Sequence, residues 1–215
     1  MSVIRQQGRF NTYTRRRLVG VTAAIGVAAL ETVAVAVWFV LAVVEPRTLS
    51  AALAGLGVLF CGALLRMVIF GTTATPVHAL LTPRRVGASL TLVAAWPLWV
   101  LTAETVGGPT GMLVAGFLLS VVLMGQFVLE RRVFRLSETR QCYRRAALSA
   151  LVIGTGATVV LWATWFSDWS LVTDTVPVGH LAVYVQIEAY HLGFVLFGAL
   201  AFLVHQHRFY LNLEP

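Results

Sequence analysis

Six apolar runs, each 18 to 28 residues long and separated by short polar breaks, limit this chain more than any other feature. A helix rises 1.5 Å per residue, so about 20 such residues cross the roughly 30 Å hydrocarbon core of a bilayer. The runs cover 18–44, 48–75, 86–103, 110–129, 146–167 and 177–204. Unpaired backbone groups are not tolerated in lipid, which leaves helices or a closed barrel. Runs of this length are helical. The expected fold is therefore all-α: a single polytopic domain of six transmembrane helices filling residues 1–215.

Charge supports that class. Only 12% of the residues are charged and 58% are hydrophobic, against roughly 25% charged in soluble domains. All sixteen basic residues are Arg, and with nine acids they give a formal charge of +7. In a soluble protein such an excess would suggest nucleic acid. Here the arginines sit between apolar runs, where they act as topology determinants, and no nucleic-acid partner is expected. Cys61 lies in a run and Cys142 in a basic loop, so neither a disulfide nor a metal pair is expected.

Along the chain, the first run follows Arg15, Arg16 and Arg17 and contains 27 residues. That exceeds the roughly 7 to 15 of a signal-peptide core, so it reads as a retained span. In the second run Gly55, Gly62 and Arg66 share one helical stripe, where small residues admit a close neighbour beside the arginine. Pro97 in the third run predicts a kink or wide turn, and Gly107-Gly108-Pro109 a tight corner. The stretch Glu130–Arg145, with six Arg and two Glu in sixteen residues, reads as a headgroup-level segment that attracts anionic lipids. Ala150, Gly154 and Thr158 form a packing stripe in the fifth run. Trp162, Trp165 and Trp169 at its end read as an interfacial aromatic belt.

Six spans place both termini on one side. Segments on that side carry fourteen Arg, the opposite side only Arg47, and Arg66 lies within a run. By the positive-inside rule the termini are expected in the cytoplasm, with the chain in the cytoplasmic (inner) membrane.

Ionisable residues inside apolar runs are costly and pair by default, so they mark the polar interior. By depth, Glu31 and Arg66 approach the midplane from the first two spans. Glu188 and His191, three residues apart with Tyr184 one turn earlier, fall in the middle of a span beginning at Pro177. The expected intramembrane cluster is thus Glu31, Arg66, Tyr184, Glu188 and His191. It either locks helices together or forms a protonatable centre in a transport path. A redox alternative uses histidines as haem or metal ligands: His191 and His205 lie fourteen residues apart, and His78 could pair with His205.

No nucleotide-binding motif or hydrolase constellation is present. Gly87-Ala88-Ser89 lacks the partners of an intramembrane serine protease, and Trp162-Ala163-Thr164-Trp165 lacks the glycine of the tryptophan-rich haem-handling segment of cytochrome c assembly proteins. The reading from sequence is a small transporter-like protein or a subunit of a membrane transport complex rather than an enzyme. No cofactor is expected, and the bilayer, a second copy or partner subunits are the expected associates.

Overall fold

A computed structural model describes residues 3–44, 47–74, 83–133, 140–174, 176–178 and 181–213. Six helices carry the fold: α1 (Val3–Phe39, extended by a π-helical turn Val40–Val44), α2 (Leu49–Ala74), α3 (Pro83–Val106), α4 (Gly108–Val133), α5 (Arg140–Trp165) and α6 (Ala189–Leu213). Each contains a stretch long and apolar enough to cross a membrane. The protein is thus an all-α, multi-pass membrane bundle. Consecutive helices pack against one another and α6 closes against α1, forming a ring in chain order.

Small residues set the closest approaches. A Cβ on Gly62 would strike Ala34 and one on Gly55 would crowd Trp38, so the glycine stripe of α2 seats against α1. A Cβ on Gly154 would overlap the Ser120 hydroxyl, and one on Gly116 that of Thr158, which draws α4 and α5 together. Without a hydrophobic drive in lipid, such close van der Waals contact is what holds helices to each other. The α3–α4 corner needs only Gly107, whose φ of 73° is left-handed, followed by Gly108 at 59°. Pro97 is accommodated inside α3.

The ring has two unlike ends. At the end where α5 stops and α6 starts, Phe39, Trp96, Trp99, Phe194 and Phe197 fill the centre with edge-on and tilted ring contacts, centroids 5.6 to 6.0 Å apart along the series Phe194–Phe39–Trp99–Trp96–Phe197. On the rim of this end Arg47 bonds Glu104, 2.5 Å apart, tying the start of α2 to the end of α3. The opposite end, where α1 enters and α6 leaves, holds a smaller apolar group of Ala24, Val27, Met67, Ala88 and Phe209.

The sixth apolar run departs most from expectation. Residues expected to begin span six form instead a two-part antiparallel ribbon: β1 (Ser170–Val172) pairs with β4 (Gln186–Glu188), and β2 (Val176–Val178) with β3 (Leu181–Val183). This stretch is rich in β-branched Val and interrupted by Pro177 and Gly179, a composition that favours paired strands over helix. Helix α6 therefore begins twelve residues later than the apolar run, at Ala189 rather than Pro177.

Candidate functional site: a buried chain of ion pairs

Between the aromatic centre and the smaller apolar group lies a layer of five ionisable side chains from four helices. Glu31 of α1 accepts from Arg66 of α2 through Oε1 (3.0 Å) and pairs with His205 Nε2 of α6 through Oε2 (2.7 Å). Arg66 donates with its other terminal nitrogen to Glu130 Oε1 on α4 (2.7 Å). Glu130 Oε2 accepts from Arg208 of α6 (2.6 Å). The result is a chain, His205–Glu31–Arg66–Glu130–Arg208, that crosses the ring.

Four of its members are out of contact with the surroundings, Glu31, Arg66, Glu130 and His205 being 5%, 3%, 2% and 0% exposed, while the Arg208 side chain is 12% exposed. At that burial an unpaired charge would cost several kcal/mol, on the order of 3 to 5 when one partner is removed. Both oxygens of each carboxylate are engaged. With His205 neutral, two carboxylates face two guanidinium groups and the formal charges cancel. Phe127 lies beneath the layer, its ring centre 4.2 Å from the Arg208 guanidinium carbon and 5.7 Å from that of Arg66, within cation–π range.

A neutral arm extends the network to α3. Gln126, one turn before Glu130, donates to the Ala88 carbonyl (2.8 Å), accepts from the Thr91 hydroxyl (2.5 Å) and reaches Glu130 Oε1 at 3.5 Å. Beside Glu31 and Arg66, between α1, α2 and α3, is a void of about 20 Å³ bounded by Gly62, Leu92 and Trp96, room for about one water. His205 Nδ1 is buried and has no hydrogen-bond partner among the described residues.

Among the residues singled out from sequence, the structure brings Glu31, Arg66 and His205 together and places Tyr184, Glu188 and His191 elsewhere. Tyr184 is exposed on the ribbon, Glu188 ends β4, and His191 is exposed in the first turn of α6. There His191 Nδ1 accepts from the Glu188 backbone N–H (2.9 Å) and its ring stacks on Tyr190. Glu188 and His191 lie at the end of a span, not at its middle, because the ribbon consumes the residues counted into that span. His78 lies outside the described residues, so the His78–His205 pairing does too. His191 and His205 stand near opposite ends of α6, and His205 directs Nε2 at Glu31.

Glu130 and Arg208 read from sequence as parts of polar segments and are instead two of the five members of the charged layer. The available signal was helical spacing: His205 and Arg208 are three apart and Gln126 and Glu130 four apart, so each pair shares a face. Among the described residues no group of three or more His, Cys, Asp or Glu could hold a metal ion. Cys61 is a free thiol.

No protein-family model matches the chain, and no curated protein and no solved structure resembles it significantly.

Proposed function

We propose that this protein is a small transport-type membrane subunit in which the Glu31–His205 pair takes up and releases a proton. The observation that carries this reading is the single imidazole at the end of an otherwise charge-balanced chain. Arginine stays cationic throughout the physiological range, whereas histidine changes charge near neutrality. One proton on His205 would break a two-against-two balance inside a low-dielectric ring. Because Glu31 belongs to α1 and His205 to α6, that imbalance acts across the contact between those two helices.

The experiment is a nitrogen NMR titration of His205 in the reconstituted protein, with proton flux measured in vesicles loaded with a pH-sensitive dye. A change of ring protonation between about pH 8 and about pH 4, with flux lowered at least tenfold in His205→Gln, is expected. A ring that keeps one tautomer across that range would overturn the proposal.

A second reading, a packing or assembly subunit, draws on the seal around the layer. Both oxygens of Glu31 and of Glu130 are occupied, the adjoining void has room for only about one water, and apolar side chains lie on both sides. On that reading His205→Gln lowers thermal stability and leaves flux unchanged. The redox alternative has the least support, since the His205 nitrogen with a partner is committed to a carboxylate. A Soret band in the purified protein would revive it.

The arginine distribution supports both termini lying in the cytoplasm, with the protein in the inner membrane. Exposed Arg84, Arg132 and Arg144 at that end suit anionic headgroups. A homo-oligomer or a larger partner is the expected assembly, because the bundle alone has little mass outside the membrane.

A further inference from the structure

The ribbon between α5 and α6 carries apolar side chains on its surface where polar ones are the norm for a segment in water. Leu171 and Val172 on β1 and Tyr184 and Val185 just before β4 are each about half exposed, as are Phe166 and Trp169 at its base. Its backbone is fixed to the bundle. Ser170 is registered with Glu188, Thr173 N–H donates to the Val185 carbonyl (2.9 Å), and Ala189 N–H to that of Trp169 (3.1 Å). The apolar surface is therefore held in one place relative to the helix ends.

What covers it follows from where it starts. The outward face of α5 is a stripe of Leu148, Leu151, Thr155 and Trp162, spaced three, four and seven apart, and in a membrane bundle that face contacts lipid. The stripe continues through Phe166 and Trp169 into Leu171 and Val172 without an intervening charged side chain other than Asp168. Trp and Tyr, with an apolar ring and a polar edge, are the residues that settle at the headgroup level.

We infer that the 170–188 ribbon lies along the bilayer surface, its exposed apolar side chains immersed in the headgroup layer as a lateral extension of the lipid-facing side of α5. The attraction is apolar and not ionic. No Arg occurs between Arg145 and Arg208 and the chain has no Lys, while Asp168, Asp174 and Glu188 give this region an acidic character. The ribbon accordingly binds a zwitterionic surface at least as well as an anionic one, the reverse of the arginine-rich opposite end. Its consequence is mechanical: α6 cannot tilt at its start without lifting the ribbon out of the interface.

Nitroxide labels at Val172→Cys and Val185→Cys, in a full-length chain with Cys61→Ala and Cys142→Ser, test this in phosphatidylcholine nanodiscs. Leu151→Cys serves as the lipid-buried reference. At both ribbon sites the expected result is collision with dissolved oxygen severalfold more frequent than with a water-soluble nickel chelate, unchanged when phosphatidylglycerol is added. Preferential collision with the nickel chelate would place the ribbon in water, as a docking surface for a soluble protein, and overturn the inference. Immobilised labels shielded from both reagents would overturn it too, by showing a second copy or partner chain on the ribbon.

Discussion

The two ends of this bundle use opposite physics to hold the same six helices. At the ribbon end, Phe39, Trp96, Trp99, Phe194 and Phe197 mesh as rings, with many weak contacts that bring about 0.5 to 1.5 kcal/mol per aromatic pair beyond area burial. Toward the end where the termini lie, three Arg–Glu ion pairs and the His205–Glu31 contact join α1, α2, α4 and α6. The aromatic centre is tolerant, since losing one ring removes only its own contacts. The charged layer is not: each member is the partner of the next, and one deletion leaves a charge without compensation in low dielectric.

That contrast gives an ordered set of substitutions. Arg66→Leu has the largest expected effect, about 5 kcal/mol, because it leaves two buried carboxylates with one guanidinium, Glu31 keeping only the His205 imidazole and Glu130 only Arg208. It is read as lost monodisperse yield and a collapsed melting transition in detergent. Pairing it with Glu31→Gln restores the charge balance and should recover a substantial part of the loss. No recovery would mean that Arg66 matters for packing rather than for charge. Phe197→Ala should cost about 3 to 4 kcal/mol through the cavity it leaves against Trp96 and Phe194, and its effect should add to that of Glu31→Gln/Arg66→Leu. Strong non-additivity, measured by a double-mutant cycle, would join the two ends into one energetic unit.

Smaller still, Gly116→Leu should destabilise by roughly 1 to 3 kcal/mol by forcing α4 off Thr158 of α5. Glu188→Gln and His191→Ala stand last, each within about 0.5 kcal/mol, because both residues border solvent or headgroups. A large loss at either would return these two residues to the working part of the protein.

The same contrast explains what could be read in advance. Glu31 and Arg66 were legible as interior residues because each interrupts a long apolar run, and a charge there needs a partner wherever the neighbouring helices are. Glu130 and Arg208 were hidden by their neighbours. Glu130 is followed by Arg131 and Arg132, and Arg208 follows His207, so both look like the polar edge of a span. Burial of such residues depends on which way the last helical turn faces, and that is set by the packing of α4 and α6, not by local composition. The 177–188 stretch is the converse case. Hydropathy counted it into a span, whereas strand pairing with 170–172 and with itself excluded it.

By itself, then, the sequence determined that six helices span a membrane, because uninterrupted apolar length and the cost of an unpaired backbone in lipid leave no other form. It also marked Gly55 and Gly62 as places where α2 could admit a close neighbour, while the structure identified that neighbour as α1, through Trp38 and Ala34. Only the tertiary structure decided the membership of the charged layer. A salt bridge between Glu31 and Arg66, or between Glu130 and Arg208, joins residues 35 and 78 positions apart. Such pairs exist only once closing the ring sets the rotation of each helix about its own axis.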